Sequence, residues 1–437
     1  MLSGTNFVVN NILIFLSLVL IISGFRADAS EISAKVTARS ESEVWFGPNT
    51  GSVDMLNLFT NPEQWDEARS KVDVFKFVTA HFNRNQCNDK SLKLCSDNNL
   101  NNFIKVDAFS KLKQWGINIA IEMPAIGFAP VTDDGPGEEG RPQNISLSKW
   151  CTDIRDYQLS YYISKIKKAI SSIESNGGTV KFIAIDEPIR RWYSGVFKNI
   201  DREVPICAVD SLRDIADDVA TYIQEVKTEY PSVEVGLLFL YPEVSVEMLE
   251  EFVTELEKKG TTPKFMHLDL QGFRAMKMVE QGKIDVASDL RSIQTILKDR
   301  DISFGFFIND LRLNDESISA QSREYTAEDY YNGTMALIRE MKPKFDQLAK
   351  PVDQLLFQSW VFVMKNGKKI QQIPNNLRES DSYSHTRLLL DGLGVLRNES
   401  TSPLTCKNGI CDPGETILSC EQDCPSPEDR TGNGQYR

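Results

Sequence analysis

Short apolar runs alternate with helical stretches along most of this chain, and this alternation limits the fold more than any other feature of the sequence. Eight runs have the length and apolar character of buried strands. They occupy residues 44–46, 74–78, 117–121, 180–185, 233–240, 264–270, 302–308 and 354–359. Strands that alternate with helices predict parallel pairing through right-handed crossovers.

The segments between the runs contain recognisable helix signals. Residues 150–175 place isoleucines near helical spacing and end at a glycine pair that begins at Gly177. Thr326 and Asp329 form a capping-box pattern, and Ser245 opens a further helix. Each of these signals predicts a helix between two of the strands.

Eight strand–helix units fit an α/β protein with a (β/α)8 TIM barrel, which we predict for residues 43–398. An open doubly wound sheet is the alternative, but such a sheet more often has fewer strands and a nucleotide-binding loop. The chain contains no GxGxxG and no Walker motif. The barrel is therefore the predicted fold, and the run at 44–46 is its weakest strand.

The first residues have the pattern of a secretory signal peptide, which we assign to residues 1–29. Residues 12–22 form an apolar run, and Ala27-Asp28-Ala29 fits a small-x-small cleavage site. The segment before the run lacks Lys and Arg, which departs from the usual signal pattern. An uncleaved membrane anchor is the alternative, although the run is shorter than the roughly 18 apolar residues that a span needs. We predict a secreted, extracellular protein with no stable insertion in a membrane.

Eight cysteines agree with a disulfide-bonded, exported chain. Four of them lie within residues 406–424, a segment too small to be stable through hydrophobic burial alone. This segment resembles the short Cys-x-Asn-Gly-x-Cys-Asp modules appended to secreted proteins, so we predict a small disulfide-rich C-terminal tail, followed by disordered residues 425–437. Its acidic side chains could bind calcium or form a solvated loop. They are Asp412, Glu415 and Asp423.

The remaining four cysteines leave the connectivity open. A bridge between Cys87 and Cys95 would stiffen the loop after the second strand, and one between Cys151 and Cys207 would join the regions after the third and fourth strands. Three glycosylation sequons also agree with export. They begin at Asn144, Asn332 and Asn398.

The balance of charges narrows the range of partners. The chain has 62 acidic and 49 basic residues, which gives a formal net charge of -13. Nucleic-acid phosphates select basic surfaces, so we expect no nucleic-acid partner. The net charge does not exclude neutral or cationic ligands.

Polar or aromatic residues follow almost every predicted strand. In a barrel, the carboxyl ends of the strands gather at one face, where active sites of this fold lie. The residues at these ends are Asn49, His81, Glu122, Asp186, Glu187, Tyr241, Asp269, Gln271, Asn309, Asp310, Ser359 and Trp360. We therefore predict a functional site at this face.

The fourth strand ends in two adjacent carboxylates and a proline, in the sequence Ile185-Asp186-Glu187-Pro188. A carboxyl group at the lip of a barrel, backed by apolar walls, can have a pKa high enough to hold a proton at neutral pH. A second carboxylate can then act as nucleophile or base. This pairing cleaves glycosidic bonds.

The motif resembles the Asn-Glu-Pro that ends the fourth strand of (β/α)8 glycoside hydrolases, with Asp186 in place of the asparagine. The resemblance implies that Glu187 is the acid/base and that Trp360 is an aromatic platform beneath the sugar. It also implies that the substrate is an oligo- or polysaccharide.

The sequence leaves open which residue is the second catalytic carboxylate. The enzymes of the resemblance have a catalytic glutamate at the end of the seventh strand, where this chain has Asn309 and Asp310. The candidate partners of Glu187 are therefore Asp310, Asp269 and Glu122. A separation of about 5 Å between the two carboxyl groups would make hydrolysis retaining, and one of roughly 6.5 to 9.5 Å would make it inverting.

Six further side chains near the strand ends are predicted to contact the substrate, through hydrogen bonds or through aromatic faces that stack on sugar rings. They are Asp186, His81, Tyr241, Asn309, Trp360 and Trp192. Core packing is the alternative for the aromatic members. Apart from the calcium of the tail, no cofactor is expected.

Three other interpretations remain open. The barrel could bind glycans without catalysis, having lost the glutamate of the seventh strand. It could be a metal-dependent lyase, isomerase or hydrolase with mixed ligands from His81, Glu122, Asp186, His267 and Asp269. The Asp-Glu pair could also be a helix N-cap followed by an acid in the first turn, which the helix dipole favours.

Overall fold

A computed structural model describes most of the predicted barrel region. The described residues are 41–49, 51–78, 81–82, 98–124, 144–309, 326–359, 361–365 and 368–398, and only the backbone is described in 362–365 and 368–372. The chain divides into two units, Met1–Ser42 and Glu43–Arg437, and every element below belongs to the second. The predicted signal peptide, the cysteine-rich module with its candidate calcium ligands and the terminal tail lie outside the described residues, as do Cys87 and Cys95.

Eight parallel strands close into a barrel in the order of the sequence, so the predicted (β/α)8 fold is confirmed. The strands are β1 (Glu43–Gly47), β2 (Val74–Val78), β3 (Asn118–Met123), β4 (Val180–Ile185), β5 (Glu234–Tyr241), β6 (Phe265–Leu270), β7 (Ser303–Ile308) and β8 (Gln354–Gln358). β1, the weakest prediction, closes the ring because it pairs with both β2 and β8. The closed ring excludes the open doubly wound sheet. Two further strands, β9 (Phe362–Lys365) and β10 (Lys368–Gln372), form a separate hairpin.

Helices connect consecutive strands on the outside of the barrel. Those in the described residues are α1 (Asn57–Thr60), α2 (Asp66–Lys71), α3 (Leu100–Lys105), α4 (Ala108–Gln114), α5 (Leu147–Ser175), α6 (Pro188–Trp192), α7 (Ser194–Asn199), α8 (Leu212–Glu229), α9 (Val246–Lys258), α10 (Gly272–Glu280), α11 (Val286–Lys298), α12 (Ala327–Phe345) and α13 (His385–Arg397). None of these described helices combines the length and the apolar character that a membrane crossing requires.

The predicted helix starts are explained by their caps. The Thr326 side chain accepts a hydrogen bond from the backbone N–H of Asp329, and the Asp329 side chain accepts one from that of Thr326, so the capping box of α12 is confirmed. Ser245 caps α9 with its side-chain oxygen. The helix predicted at 150–175 is confirmed too, and α5 already begins at Leu147.

Aromatic rings fill the amino-terminal half of the barrel interior. The ring centroid of Trp45 lies 4.8 Å from that of Phe182 and 5.1 Å from that of Phe265. The apolar side chains that line the barrel interior, which we call the inner core, are Trp45, Val74, Ala120, Phe182, Ala184, Leu238, Phe265, Phe307 and Leu356. We call the opposite end of the interior, formed by the carboxyl ends of β1 to β8, the carboxyl face.

A disulfide joins Cys151 in α5 to Cys207, which lies between α7 and α8, with Cα atoms 5.3 Å apart. One of the two bridges considered from the sequence is thus confirmed. The bridge ties the start of the helix after β3 to the segment after β4, which is the segment that follows the Asp-Glu pair.

Candidate active site

The two carboxylates after β4 lie at a sharp change in backbone direction. Glu187 has a φ of 42° and a ψ of 50°, in the left-handed region that residues other than glycine rarely occupy. Such conformations cost about 1 kcal/mol and persist where the surrounding structure imposes them, often at functional sites. Glu187 occupies the N-cap position of α6, but its side chain makes no capping hydrogen bond and the first turn has no acidic residue. The capping interpretation of the pair is therefore wrong.

The Glu187 side chain is largely buried and contacts the helix that follows it. Arg190 Nη1 donates a hydrogen bond to Glu187 Oε2 at 3.1 Å. Burial raises the pKa of Glu187 to about 7, the charge of Asp186 adds to the rise, and the charge of Arg190 opposes it. A carboxyl group that holds a proton near neutral pH is thus present where the sequence motif predicts one.

Asp269 of β6 is a second carboxyl group with a raised pKa at the carboxyl face. It lies on the inner side of β6 together with Phe265, because alternate residues of a strand face the same way. Burial raises the pKa of Asp269 to about 8, and the charge of Glu187 is the largest electrostatic contribution to that rise, while Lys76 opposes it. Within the described part of the chain, Asp269 makes no hydrogen bond and no ion pair.

The negative charge of Glu187 raises the pKa of Asp269, so ionisation of Glu187 makes ionisation of Asp269 harder. The contact with Arg190 stabilises the charged form of Glu187. Asp269 has no such contact among the described residues, so its charged form is the less stabilised of the two.

A buried ion pair supplies the countercharge inside the barrel. Lys76 of β2 is fully buried and pairs with Glu122 of β3. Burial raises the pKa of Glu122, and the positive charge of Lys76 opposes the rise. The same lysine lowers the pKa of Asp269. Sequence reasoning missed Lys76, although a single lysine within the otherwise apolar run 74–78 was a visible signal.

A second charged network follows β4, β5 and β6. Glu243 accepts hydrogen bonds from Arg190 Nε and from Arg274 Nη1, each at 2.8 Å and each on its own carboxylate oxygen. Asp186 pairs with Arg191. Sequence reasoning missed this network as well. The available signal was the pair of arginines that begins two residues after the Asp-Glu-Pro motif.

Two aromatic residues predicted to stack on a sugar lie away from the carboxyl face. Tyr241 is buried in the core between the barrel and the helices, where its hydroxyl donates to Asp289 of α11. Leu238 faces the barrel interior, so Tyr241, three residues later, faces the opposite way. Trp192 of α6 is buried in the same outer core. Both predictions are corrected on this ground, since an enclosed ring has no face free for a sugar.

His81 and Asn309 are both buried against the protein itself. His81 Nδ1 accepts from the backbone N–H of Val78 at 3.3 Å, and its ring packs on Phe77. Burial lowers the pKa of His81 to about 3, so it is a neutral packing residue, which corrects its assignment to the substrate. Asn309 Oδ1 accepts from the hydroxyl of Tyr330 at 3.3 Å, and its role in binding stays a prediction.

Two predicted site residues, Asp310 and Trp360, lie outside the described residues. Their roles as partner carboxylate and as aromatic platform stay predictions. Glu122 and Asp186 are each held in an ion pair. Of the two candidate partner carboxylates in the described residues, Asp269 is therefore the one without an ion pair.

The mixed metal site considered from the sequence is not assembled in the described residues. His267 Nε2 lies 2.7 Å from Gln354 Oε1, and burial lowers the pKa of His267 to about 3. His81 is held by the backbone of β2. In the ranges that the structure describes, no group of three or more His, Cys, Asp or Glu side chains is arranged to hold a metal ion.

No protein-family model matches this chain, and no curated protein matches it. A thermostable xylanase mutant from Cellvibrio japonicus is similar in structure, with 11% identity, a TM-score of 0.48 and coverage of 83% of this chain and 99% of that chain. A GH10 structure from Paenibacillus barcinonensis has 11% identity, a TM-score of 0.47 and coverage of 83% and 96%. The GH53 catalytic domain of Ignisphaera aggregans has 12% identity, a TM-score of 0.43 and coverage of 80% and 90%. These likenesses concern the fold alone, which the closed barrel establishes by itself.

Proposed function

We propose that this protein is a glycoside hydrolase that cleaves an oligo- or polysaccharide with the carboxyl pair Glu187 and Asp269. The observation behind the proposal is that two carboxyl groups, at the carboxyl ends of β4 and β6, both have raised pKa values, and that the charge of Glu187 contributes to the rise at Asp269. Glycosidic cleavage needs one carboxyl group to protonate the leaving oxygen and another to act as nucleophile or base. A pair that shares one proton supplies both groups.

Within the pair, we assign proton donation to Asp269 and the role of the charged carboxylate to Glu187. This is the reverse of the role that the sequence resemblance implies for Glu187. The reason is the hydrogen bond from Arg190, which favours the ionised form of Glu187. The positive charge of Lys76 inside the barrel limits how far the pKa of Asp269 rises, so its proton remains transferable.

Hydrolysis of a panel of poly- and oligosaccharides tests the activity, and Glu187→Gln and Asp269→Asn test the pair. We expect each variant to lose about 10² to 10⁴-fold in kcat, the contribution typical of a catalytic acid or base, while ligand binding persists. Asp289→Asn is the matched control, because Asp289 also has a raised pKa but lies in α11, bonded to Tyr241. Unchanged turnover in Asp269→Asn would contradict the assignment.

The nature of the leaving group distinguishes the two roles. An aryl glycoside whose phenolate leaves without protonation has no need of a proton donor. Asp269→Asn should therefore retain much of its turnover on such a substrate, whereas Glu187→Gln should lose turnover on aryl glycosides and natural glycans alike. The opposite pattern would assign proton donation to Glu187. Proton NMR of the anomer released first separates retention from inversion.

A barrel that binds glycans without cleaving them is the second candidate, because β7 is followed by Asn309 rather than by a glutamate. Such a protein would show no turnover of any sugar that it binds. Turnover in the wild type that Glu187→Gln abolishes would exclude it.

Action outside the cell is part of the proposal. It rests on the predicted signal peptide at residues 1–29 and on the Cys151–Cys207 disulfide, which is of the kind found in oxidising compartments. Amino-terminal sequencing of the exported protein should find a chain that begins near Ser30. A protein retained in the cell with residues 1–29 intact would contradict this part.

A further inference from the structure

In the network of Arg190, Glu243 and Arg274, the negative charge is buried and the two positive charges are partly exposed. The Glu243 side chain is 1% exposed, whereas those of Arg190 and Arg274 are 31% and 28% exposed. The three residues follow the neighbouring strands β4, β5 and β6, so they belong to the same carboxyl face as the proposed catalytic pair. The anion of the network is thus enclosed, while its two cations are open to solvent.

Both guanidinium groups retain hydrogen-bond donors beyond those used in the network. Arg190 uses Nε for Glu243 and Nη1 for Glu187, and Arg274 uses Nη1 for Glu243. Among the described residues, no acceptor contacts Nη2 of Arg190 or the Nε and Nη2 of Arg274. The two groups are neighbours, because they bind the two oxygens of one carboxylate. Paired N–H groups of this kind match the oxygens of a carboxylate or a sulfate.

We propose that Arg274, with Arg190 beside it, forms a subsite for an acidic group of the substrate, so that the glycan is an anionic one with carboxylate or sulfate substituents. The inference rests on the proposed function, since it concerns the same face of the barrel. A purely structural brace needs only the contacts to Glu243 and does not require exposed donors. The side-by-side exposure of two guanidinium groups is also not a consequence of overall composition, because the chain as a whole has a formal net charge of -13.

Binding to a variant without turnover tests the subsite. Calorimetry on Glu187→Gln would compare oligogalacturonates and sulfated galactan oligosaccharides with neutral galactan oligosaccharides of equal length. We expect one acidic series to bind at least about tenfold tighter than the neutral series, and the preference to shrink as salt screens the charges. The two acidic series distinguish a carboxylate from a sulfate as the recognised group.

Substitution of Arg274 in the same background identifies the residue responsible. Arg274→Gln should remove most of the preference for the acidic series, and Arg274→Lys should retain part of it, because a point charge replaces the planar donor set. Arg300→Gln is the matched control. Arg300 binds Glu257 through Nε at 3.0 Å, but it precedes β7 and so lies at the opposite end of the barrel. This control should leave the preference unchanged.

The outcomes separate the inference from the proposed function. Equal affinity for acidic and neutral series, or a preference that a folded Arg274→Gln variant retains, overturns the inference and leaves the hydrolase proposal standing. Selective binding of an acidic series by a wild type that hydrolyses no glycan supports the inference and overturns the hydrolase proposal. If thermal melting shows that Arg274→Gln does not fold, the Arg274→Lys variant is tested instead. If that variant keeps the full preference for the acidic series at every salt concentration, the inference is overturned.

Discussion

The two halves of the barrel interior are built from the same eight strands and differ in what fills them. The amino-terminal half is packed with rings, of which Trp45, Phe182 and Phe265 have centroids within 5.8 Å of one another. The carboxyl face instead gathers charged or titratable groups. They are Lys76, Glu122, Asp186, Glu187 and Asp269.

This difference shows how one barrel divides stability from chemistry. Packed rings lower the free energy of the folded state without any dependence on protonation. Buried carboxyl groups destabilise it when they ionise, and their raised pKa values measure that cost. The amino-terminal half can therefore offset the cost of the carboxyl face. Four predictions follow this contrast, in decreasing order of effect.

Trp45→Ala should have the largest effect on stability. The substitution removes the ring at the centre of the inner core and should lower the free energy of unfolding by about 3 to 5 kcal/mol. Because the ring of Trp45 does not titrate, and because its neighbour His267 stays neutral with a pKa lowered to about 3, the loss should be similar at pH 5 and pH 8. Denaturant unfolding at both pH values measures it. If the loss of unfolding free energy differs strongly between pH 5 and pH 8, the contrast between the two halves of the barrel is contradicted.

Lys76→Met should cost about 3 kcal/mol at pH 8, because it leaves Glu122 buried without its countercharge. The pKa of Glu122 in the folded protein is already raised, and removal of Lys76 raises it further. A raised carboxyl pKa gives stability that is present at low pH and lost as pH rises, so the loss should be smaller at pH 5. The double variant Lys76→Met/Glu122→Gln, which replaces both charges, should be less destabilised at pH 8 than the single variant. Equal destabilisation of the two would contradict the ion-pair explanation.

Glu187→Gln should change the pH dependence of stability. The pKa of Glu187 rises from 4.5 to about 7 on folding, so its contribution is fully present below pH 4.5 and lost as pH rises through about 7. Without this ionisation, the variant should gain up to about 3 kcal/mol relative to the wild type between pH 4.5 and pH 8. Thermal unfolding across that range measures the difference. Parallel curves for wild type and variant would show that Glu187 does not titrate there.

Tyr241→Phe should have the smallest effect, about 1 kcal/mol, from the loss of one hydrogen bond to Asp289. Because Tyr241 lies between the barrel and the helices, turnover and ligand binding should not change. Kinetics on any substrate found in the hydrolysis screen would check this. A large loss of activity in a stable variant would show that Tyr241 takes part in binding or catalysis.

Much of the fold could be predicted because its signals are local. Each strand of the barrel coincides with a predicted apolar run to within a few residues, and the caps at Ser245 and Thr326 begin helices as expected. The position of Glu187 also followed from sequence, because a motif of four consecutive residues marks the end of β4. The surroundings of Glu187 followed only in part, since Asp269 was one of three candidates that the sequence could not rank, and the contact with Arg190 was missed.

The sequence by itself determined the number and the order of the barrel strands and predicted the face of the candidate site, because strand length, helix caps and polar strand ends depend on neighbouring residues. Only the tertiary structure decided that Tyr241 faces the helices, that Lys76 pairs with Glu122 and that the charge of Glu187 raises the pKa of Asp269. The physical reason is that a pKa depends on burial and on charges close in space. In a closed barrel, those charges come from strands far apart in the chain.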